Sequence, residues 1–232
     1  VQVGWLLHLP AIVQVLPSAV PMRPNTALLL LVTGIGFLAL AQKQRQWAGR
    51  LAAFVVLVAT ASLLQDLLAI DLSIDHLFFR NGSPFVANFS SRMAVNSAIC
   101  FILAGCCLLS QSRPCRFRHQ PLAECLAGSI LLGIAVVSAS GYASGLSAAY
   151  GWGGQAGMAL HTALAFSLVG AMLVWWALAH EHRWTDAIPV WLPLPVGLLV
   201  LTINLVILQA LSLDHQYQSD QATALGVNKL AE

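Results

Sequence analysis

Residues 28–40 read LLLLVTGIGFLAL, a run with no charge and no alternation of polar and apolar side chains. A strand of a transmembrane barrel alternates over about ten residues, and this run does not. A helix satisfies its own backbone hydrogen bonds, so an unbroken apolar run reads as a helix in lipid. Crossing the hydrocarbon takes about 20 such residues. Six stretches approach that length: 25–41, 51–70, 94–111, 121–140, 157–179 and 188–212, each bounded by a polar or charged run.

Composition points the same way. The 232 residues are 58% hydrophobic and 9% charged, against about 25% charged in a soluble domain. That deficit excludes an ordinary cytosolic enzyme, a disordered chain and a nucleic-acid binder, and a net charge of +2 offers no polyanion a partner surface. The expected fold is an all-α polytopic membrane protein of about six transmembrane helices. The expected organisation is a segment 1–22, a bundle over 23–212 and a helical tail or linker over 213–232. The first segment, broken by Pro10 and Pro17 and lacking a basic leader, reads as an interfacial helix plus loop, or the end of a preceding span.

Charge placement orients the chain. Seven of the 11 basic residues, Lys43, Arg45, Arg50, Arg113, Arg116, Arg118 and Arg183, lie in three short connections. The positive-inside rule puts those connections in the cytoplasm. The longer connections, 71–93 and 141–156, and the C-terminal tail then lie outside a bacterial inner membrane. Trp175, Trp176, Trp184 and Trp191 gather at the basic side, with Trp5 and Trp152 at the other, as aromatic belts do.

Three segments align without gaps: PMRPNTALLLLVTGIGFLAL at 21–40, RMAVNSAICFILAGCCLLSQ at 92–111 and GMALHTALAFSLVGAMLVWW at 157–176. Their shared skeleton is Met22/Asn25/Thr26/Ala27/Gly34, Met93/Asn96/Ser97/Ala98/Gly105 and Met158/His161/Thr162/Ala163/Gly170. Spacings of 71 and 65 residues each hold one helical hairpin, which makes three hairpins over about 23–70, 93–140 and 157–212. All three run in one direction, unlike the inverted repeats of many transporters. Small residues let helix backbones approach closely in lipid, so Gly34, Gly105 and Gly170 are expected at close helix contacts. An amide or imidazole near the membrane surface needs a partner. Asn25, Asn96 and His161 therefore read as a ring facing the bundle interior, either tying helices together or flooring an outward-facing pocket, with Thr26, Ser97 and Thr162 beside them.

These residues, with LLQDLLAIDLSID after the second span and GYASGLSAAYG before the third repeat, resemble the multi-spanning membrane-associated sensor regions that precede bacterial histidine kinases and diguanylate cyclases. The resemblance covers residues from about 4 to 212. It implies a sensory input module, with no output chemistry inside this chain. Another bacterial sensor family carries a tripled Met-His-Tyr-Thr motif. Met158, His161 and Thr162 differ from it in spacing and lack the Tyr, so its proposed metal binding is not carried over.

Other candidates complete the set. Gln65 and Asp66 end the second span, where Asp66 can pair with Arg92 or Arg80. Glu124 stands beside the basic loop, with Arg116 or Arg118 as expected partners. Tyr142, Tyr150 and Trp152 make the uncharged 141–156 connection a candidate lid, clamping an aromatic or lipidic ligand or anchoring at the interface. Asp71 and Asp75 follow Asp66 without the spacing of a calcium loop. Of seven histidines, His161 with His76 or His8 could share a depth for haem, but no spacing requires it; haem or a pigment is the one cofactor on offer. Cys100, Cys106, Cys107, Cys115 and Cys125 have no zinc spacing and read as small buried hydrophobes. No HExxH, GxSxG or phosphate-loop motif is present, so no catalytic residue and no metal site is expected. The expected partners are the bilayer and other membrane subunits or a second copy. A structural or pigment-binding subunit and a transporter stay open as alternatives.

Overall fold

The structure, a computed structural model, describes residues 19–68, 92–113, 119–151, 157–182 and 191–231. Among them every regular element is helical. In chain order these are α1 (Pro24–Ala41), α2 (Arg45–Leu67), α3 (Val95–Ser112), α4 (Gln120–Ser144), a 3₁₀ turn (Ser147–Ala149), α5 (Leu160–His182) and α6 (Pro193–Ala231). Five of them, α1 to α5, are long and apolar enough to cross a membrane. The chain is a multi-pass α-helical membrane protein.

The sixth expected span lies in α6. The apolar part of α6, Pro193–Leu208, is shorter than the other five, and the helix runs on without a break through the polar residues to Ala231. At 1.5 Å per residue its 39 residues measure about 58 Å. Of the interfacial segment expected over 1–22, residues 1–18 lie outside the described residues, as does Trp152, and 19–22 are not helical.

Burial is inverted relative to a soluble bundle. The helix faces that meet one another carry small residues: Ala48, Ala52 and Ala59 of α2, Ala98 and Ala104 of α3, Ala163 of α5. The outward faces carry Leu31 and Leu38, Leu57, Leu164, Leu168 and Trp175. In lipid no hydrophobic force drives helices together, so close backbone approach has to do it, and leucine on the outside is already in its preferred solvent. Larger apolar side chains fill one layer of the core, where Phe101 and Phe166 meet edge to face with ring centroids 4.8 Å apart. At the basic end Arg50 lies over the ring of Trp47 at 5.2 Å.

The most extensive contact is α4 with α5, followed by α2 with α3, α4 with α6, and α1 with α2. Glycines sit where those backbones come nearest. A Cβ on Gly170 would meet the Gly128 carbonyl oxygen and the Leu132 nitrogen, both at 2.9 Å, and one on Gly105 would meet Val56 at 2.7 Å. Gly34 does not share this role. It faces outward with nothing within 4 Å, and the close contact of α1 belongs to Gly36, whose Cβ would stand 2.5 Å from Leu108. Two residues along a helix turn the side-chain direction by about 200°, so equivalence in the aligned motif did not ensure equivalence in packing.

Candidate functional site

The starts of α1, α3 and α5 fall at aligned positions, Pro24, Val95 and Leu160. Pro24 opens α1 at the position where its missing N–H costs nothing. At this end the structure buries Arg23, Asn25, Thr26, Gln65, Asn96, Ser97 and Thr162. The methionines before each helix, Met22, Met93 and Met158, are buried with them.

Thr26, Ser97 and Thr162 converge. They line one cavity of about 10 Å³, together with Arg23, Ala94 and Ala159, three residues earlier in each segment, and Pro21 and Gly157. That space suits one water-sized sphere. The Thr162 hydroxyl is fully buried and has no hydrogen-bond partner among the described residues.

The ring expected from Asn25, Asn96 and His161 does not line this cavity. Asn96 turns toward the 145–151 connection and donates from Nδ2 to the Tyr150 carbonyl at 3.1 Å, while its Oδ1 accepts from the Ser97 N–H at 3.0 Å. Asn25 is buried at the start of α1. His161 is half-buried, and neither ring nitrogen has a hydrogen-bond partner among the described residues. A single residue step rotates a helix by about 100°, so neighbours in sequence at one depth look in different directions.

The connection after α4 is shaped by Gly145, whose φ of 74° ends the helix in the left-handed conformation open to glycine. The Leu146 N–H then reaches back to the Gly141 carbonyl at 2.9 Å. Beyond the 3₁₀ turn, the Tyr150 carbonyl also accepts the Met158 N–H at 2.7 Å, and Tyr142 donates its hydroxyl to the Met158 carbonyl at 2.6 Å. The Tyr142 and Tyr150 rings stack at 4.1 Å and 5°. The described part of the candidate lid is therefore tied to α4, α3 and the start of α5, and its two tyrosines are occupied with each other. Replacing Tyr142 with Phe keeps the stack and removes the half-buried hydroxyl's bonds to the Met158 carbonyl and the Val20 backbone, a loss of about 1–2 kcal/mol. Faster cleavage within 145–157 by a protease, with α1 to α3 unaffected, is the expected readout.

Asp66 pairs with Arg92 at 3.5 Å, joining the end of α2 to the approach of α3; Arg80 lies outside the described residues. Both groups are more buried than a surface pair, with side-chain exposures of 8% and 29%. Asp66→Asn and Arg92→Gln should each lower the thermal midpoint. The double variant should lose less than the sum, with a coupling of about 0.5–1 kcal/mol.

At the opposite end, Glu124 is buried and accepts a hydrogen bond from Gln120 Nε2 at 2.7 Å, one turn earlier on its own helix. Arg116 and Arg118, its expected partners, lie outside the described residues. A cleft of about 530 Å³ between α3 and α4 is lined by Leu103, Cys106, Leu109, Arg113, Glu124 and Ala127 among others. Cys100, Cys107 and Cys125 are buried as expected of small hydrophobes, but Cys106 is exposed on the α3 surface. Among the described residues no three histidine, cysteine or carboxylate side chains could together hold a metal ion.

The sequence reading missed Arg23, Ala94 and Ala159. The signal was present: they precede Thr26, Ser97 and Thr162 by three residues in every copy, the spacing that puts two side chains on one helix face. No family model, curated protein or solved structure matches the chain.

Proposed function

We propose that this chain is a membrane-embedded sensory input module of a bacterial signal-transduction protein, with its ligand site at the outer end of the bundle. One observation carries the reading. The same hydroxyl position of three aligned segments lines a single buried cavity, so one small ligand there would touch three helices at once. A ligand shifts a conformational equilibrium only by binding two states differently, and a contact shared by three helices is a direct way to achieve that.

In this reading α1 to α6 form three hairpins of one orientation in the bacterial inner membrane, with α6 as a sixth crossing. The basic connections are cytoplasmic and the 145–159 connection is outside. Charge bias and the exposed Trp175 and Trp47, both near the basic connections, support that orientation. α6 lies against α4 and extends beyond the bundle as one helix, which supports a role as the transmitting element. Gly133 faces Thr202 at this contact, where an added Cβ would come within 3.1 Å. A shift of α4 is therefore felt by α6.

The test has two parts. The coding sequence should continue in frame beyond Glu232, directly or through a linker, to an output domain. In cells, Thr26→Val should change that domain's output without changing the amount of protein. A coding sequence with no output domain, or an output indifferent to the substitution, overturns the reading.

A further inference from the structure

α6 packs on the bundle through one face, against α4 and the 3₁₀ turn. On that face Thr202 meets Gly133, Pro195 is buried, and Val206 packs with Val137 and Ala149. The opposite face is open. Gly197, Leu201, Asn204, Leu208 and Leu211 are all exposed on it. They step by four, three, four and three residues, which is the spacing of a coiled-coil seam. At about 100° per residue they keep to a band of about 80°, centred about 180° away from Val206. A Cβ on Gly197 would meet nothing within 4 Å, so a second helix backbone can come close there.

Asn204 is an amide within the apolar part of α6, Pro193–Leu208. With α6 as the sixth crossing of the reading above, it lies about 16 Å along the helix from Pro193. That is near the middle of a hydrocarbon core about 30 Å thick. Its Nδ2 donates to the Val200 carbonyl of its own helix at 2.8 Å. Its Oδ1 and second N–H have no partner among the described residues. Lipid offers neither a donor nor an acceptor, so an open amide at that depth is costly.

We propose that this face of α6 binds the same face of a second copy, as a parallel two-fold dimer with Asn204 at the axis. A carboxamide both donates and accepts, so it is its own complement. Two copies inserted the same way across the membrane run parallel, and a two-fold axis sets each Asn204 opposite the other. Each amide then donates to its partner's Oδ1, and a polar residue in the seam fixes the register. A different membrane subunit would have to present a donor and an acceptor at that depth, whereas a second copy does so by symmetry. The rest of α6 argues for the same occupant. It continues past Leu208 to Ala231, about 35 Å as one helix. An isolated helix of that length is marginal in water, and a parallel second copy runs beside all of it.

The experiment is energy transfer between donor- and acceptor-labelled copies of the purified chain in liposomes, followed as lipid is added. Transfer should fall with dilution along a monomer–dimer curve. Asn204→Leu should raise the dissociation constant about tenfold, as expected for losing two interhelical hydrogen bonds in lipid. Gly197→Leu should raise it at least as much by holding the two backbones apart. Gly34→Leu, at the open glycine of α1, should leave it unchanged. Transfer absent at the lowest dilution overturns the proposal. So does a constant that neither α6 variant moves, or one that Gly34→Leu raises more than Gly197→Leu. Association is read on the purified chain and signalling in cells. A dimer that Asn204→Leu weakens, in a protein with no sensory output, retires the sensory reading alone; a monomer that still signals retires the dimer alone.

Discussion

Gly170→Leu should leave little folded protein, while Gly34→Leu should be close to neutral. The two glycines occupy the same place in the aligned motif, and composition cannot tell them apart. At Gly170 the first added carbon already stands 2.9 Å from the Gly128 carbonyl oxygen and from the Leu132 nitrogen. Both obstacles are backbone, so no side chain can swing away and α5 must move off α4. Gly128 makes the matching approach, its own Cβ position lying 3.1 Å from the Gly170 carbonyl oxygen. Overpacking of a well-fitted interior typically costs about 1–3 kcal/mol and sometimes more, and this is the most extensive helix contact in the bundle. At Gly34 a side chain meets nothing within 4 Å, and a leucine there gains about 1 kcal/mol of helix propensity. Size-exclusion profiles and thermal midpoints of both variants in the same detergent provide the comparison. Equal damage from the two substitutions would show that α1 packs in solution through a face that is open in the monomer.

Phe101→Ala is the second large effect, expected at about 2 kcal/mol. Phe101 is fully buried and meets Phe166 edge to face at 4.8 Å. In a water-soluble core this truncation costs about 3–5 kcal/mol, part of it transfer from water and part the cavity left behind. Here a helix detached from the bundle remains in lipid, so most of the transfer contribution disappears. The lost dispersion contacts and the aromatic pair remain. Leu168→Ala is the control: at 73% exposed it faces outward and should change the midpoint little. Thermal unfolding in nanodiscs distinguishes the two, and a Phe101→Ala midpoint matching that of Leu168→Ala would remove the aromatic layer from the account of stability.

Much of the fold was legible in the chain. The boundaries read from hydropathy lie within a few residues of α1, α3 and α5, and α2 differs mainly at its start, where the helix extends back to Arg45. Basic residues there can keep their heads in the interface while the backbone stays helical. The sixth apolar stretch was read as giving way near residue 212 to a helical tail or linker, and the helix does continue unbroken to Ala231. Hydropathy marks where lipid ends, whereas a helix ends only at a breaker or a cap. The Asp66–Arg92 pair was anticipated because a carboxylate at a membrane edge needs a partner, and Arg92 is the cation that α3 brings with it.

The candidate site divides along the same line. Composition and apolar runs by themselves established a helical protein with lipid as its solvent. The aligned motif picked out residues that occupy the same steps of the first turns of α1, α3 and α5: Asn25, Thr26, Asn96, Ser97, His161 and Thr162. Depth follows from position along the chain, which a sequence records directly. Direction around the helix is set by which backbone comes closest to which, at Gly105, Gly128 and Gly170 and at Gly36 rather than Gly34. Only the tertiary structure therefore decided that the hydroxyls, and not the amides and imidazole one residue earlier, face the shared cavity. Neighbouring side chains are about 100° apart around a helix, and the rotation that chooses between them is fixed by contacts with other helices, which no single segment contains.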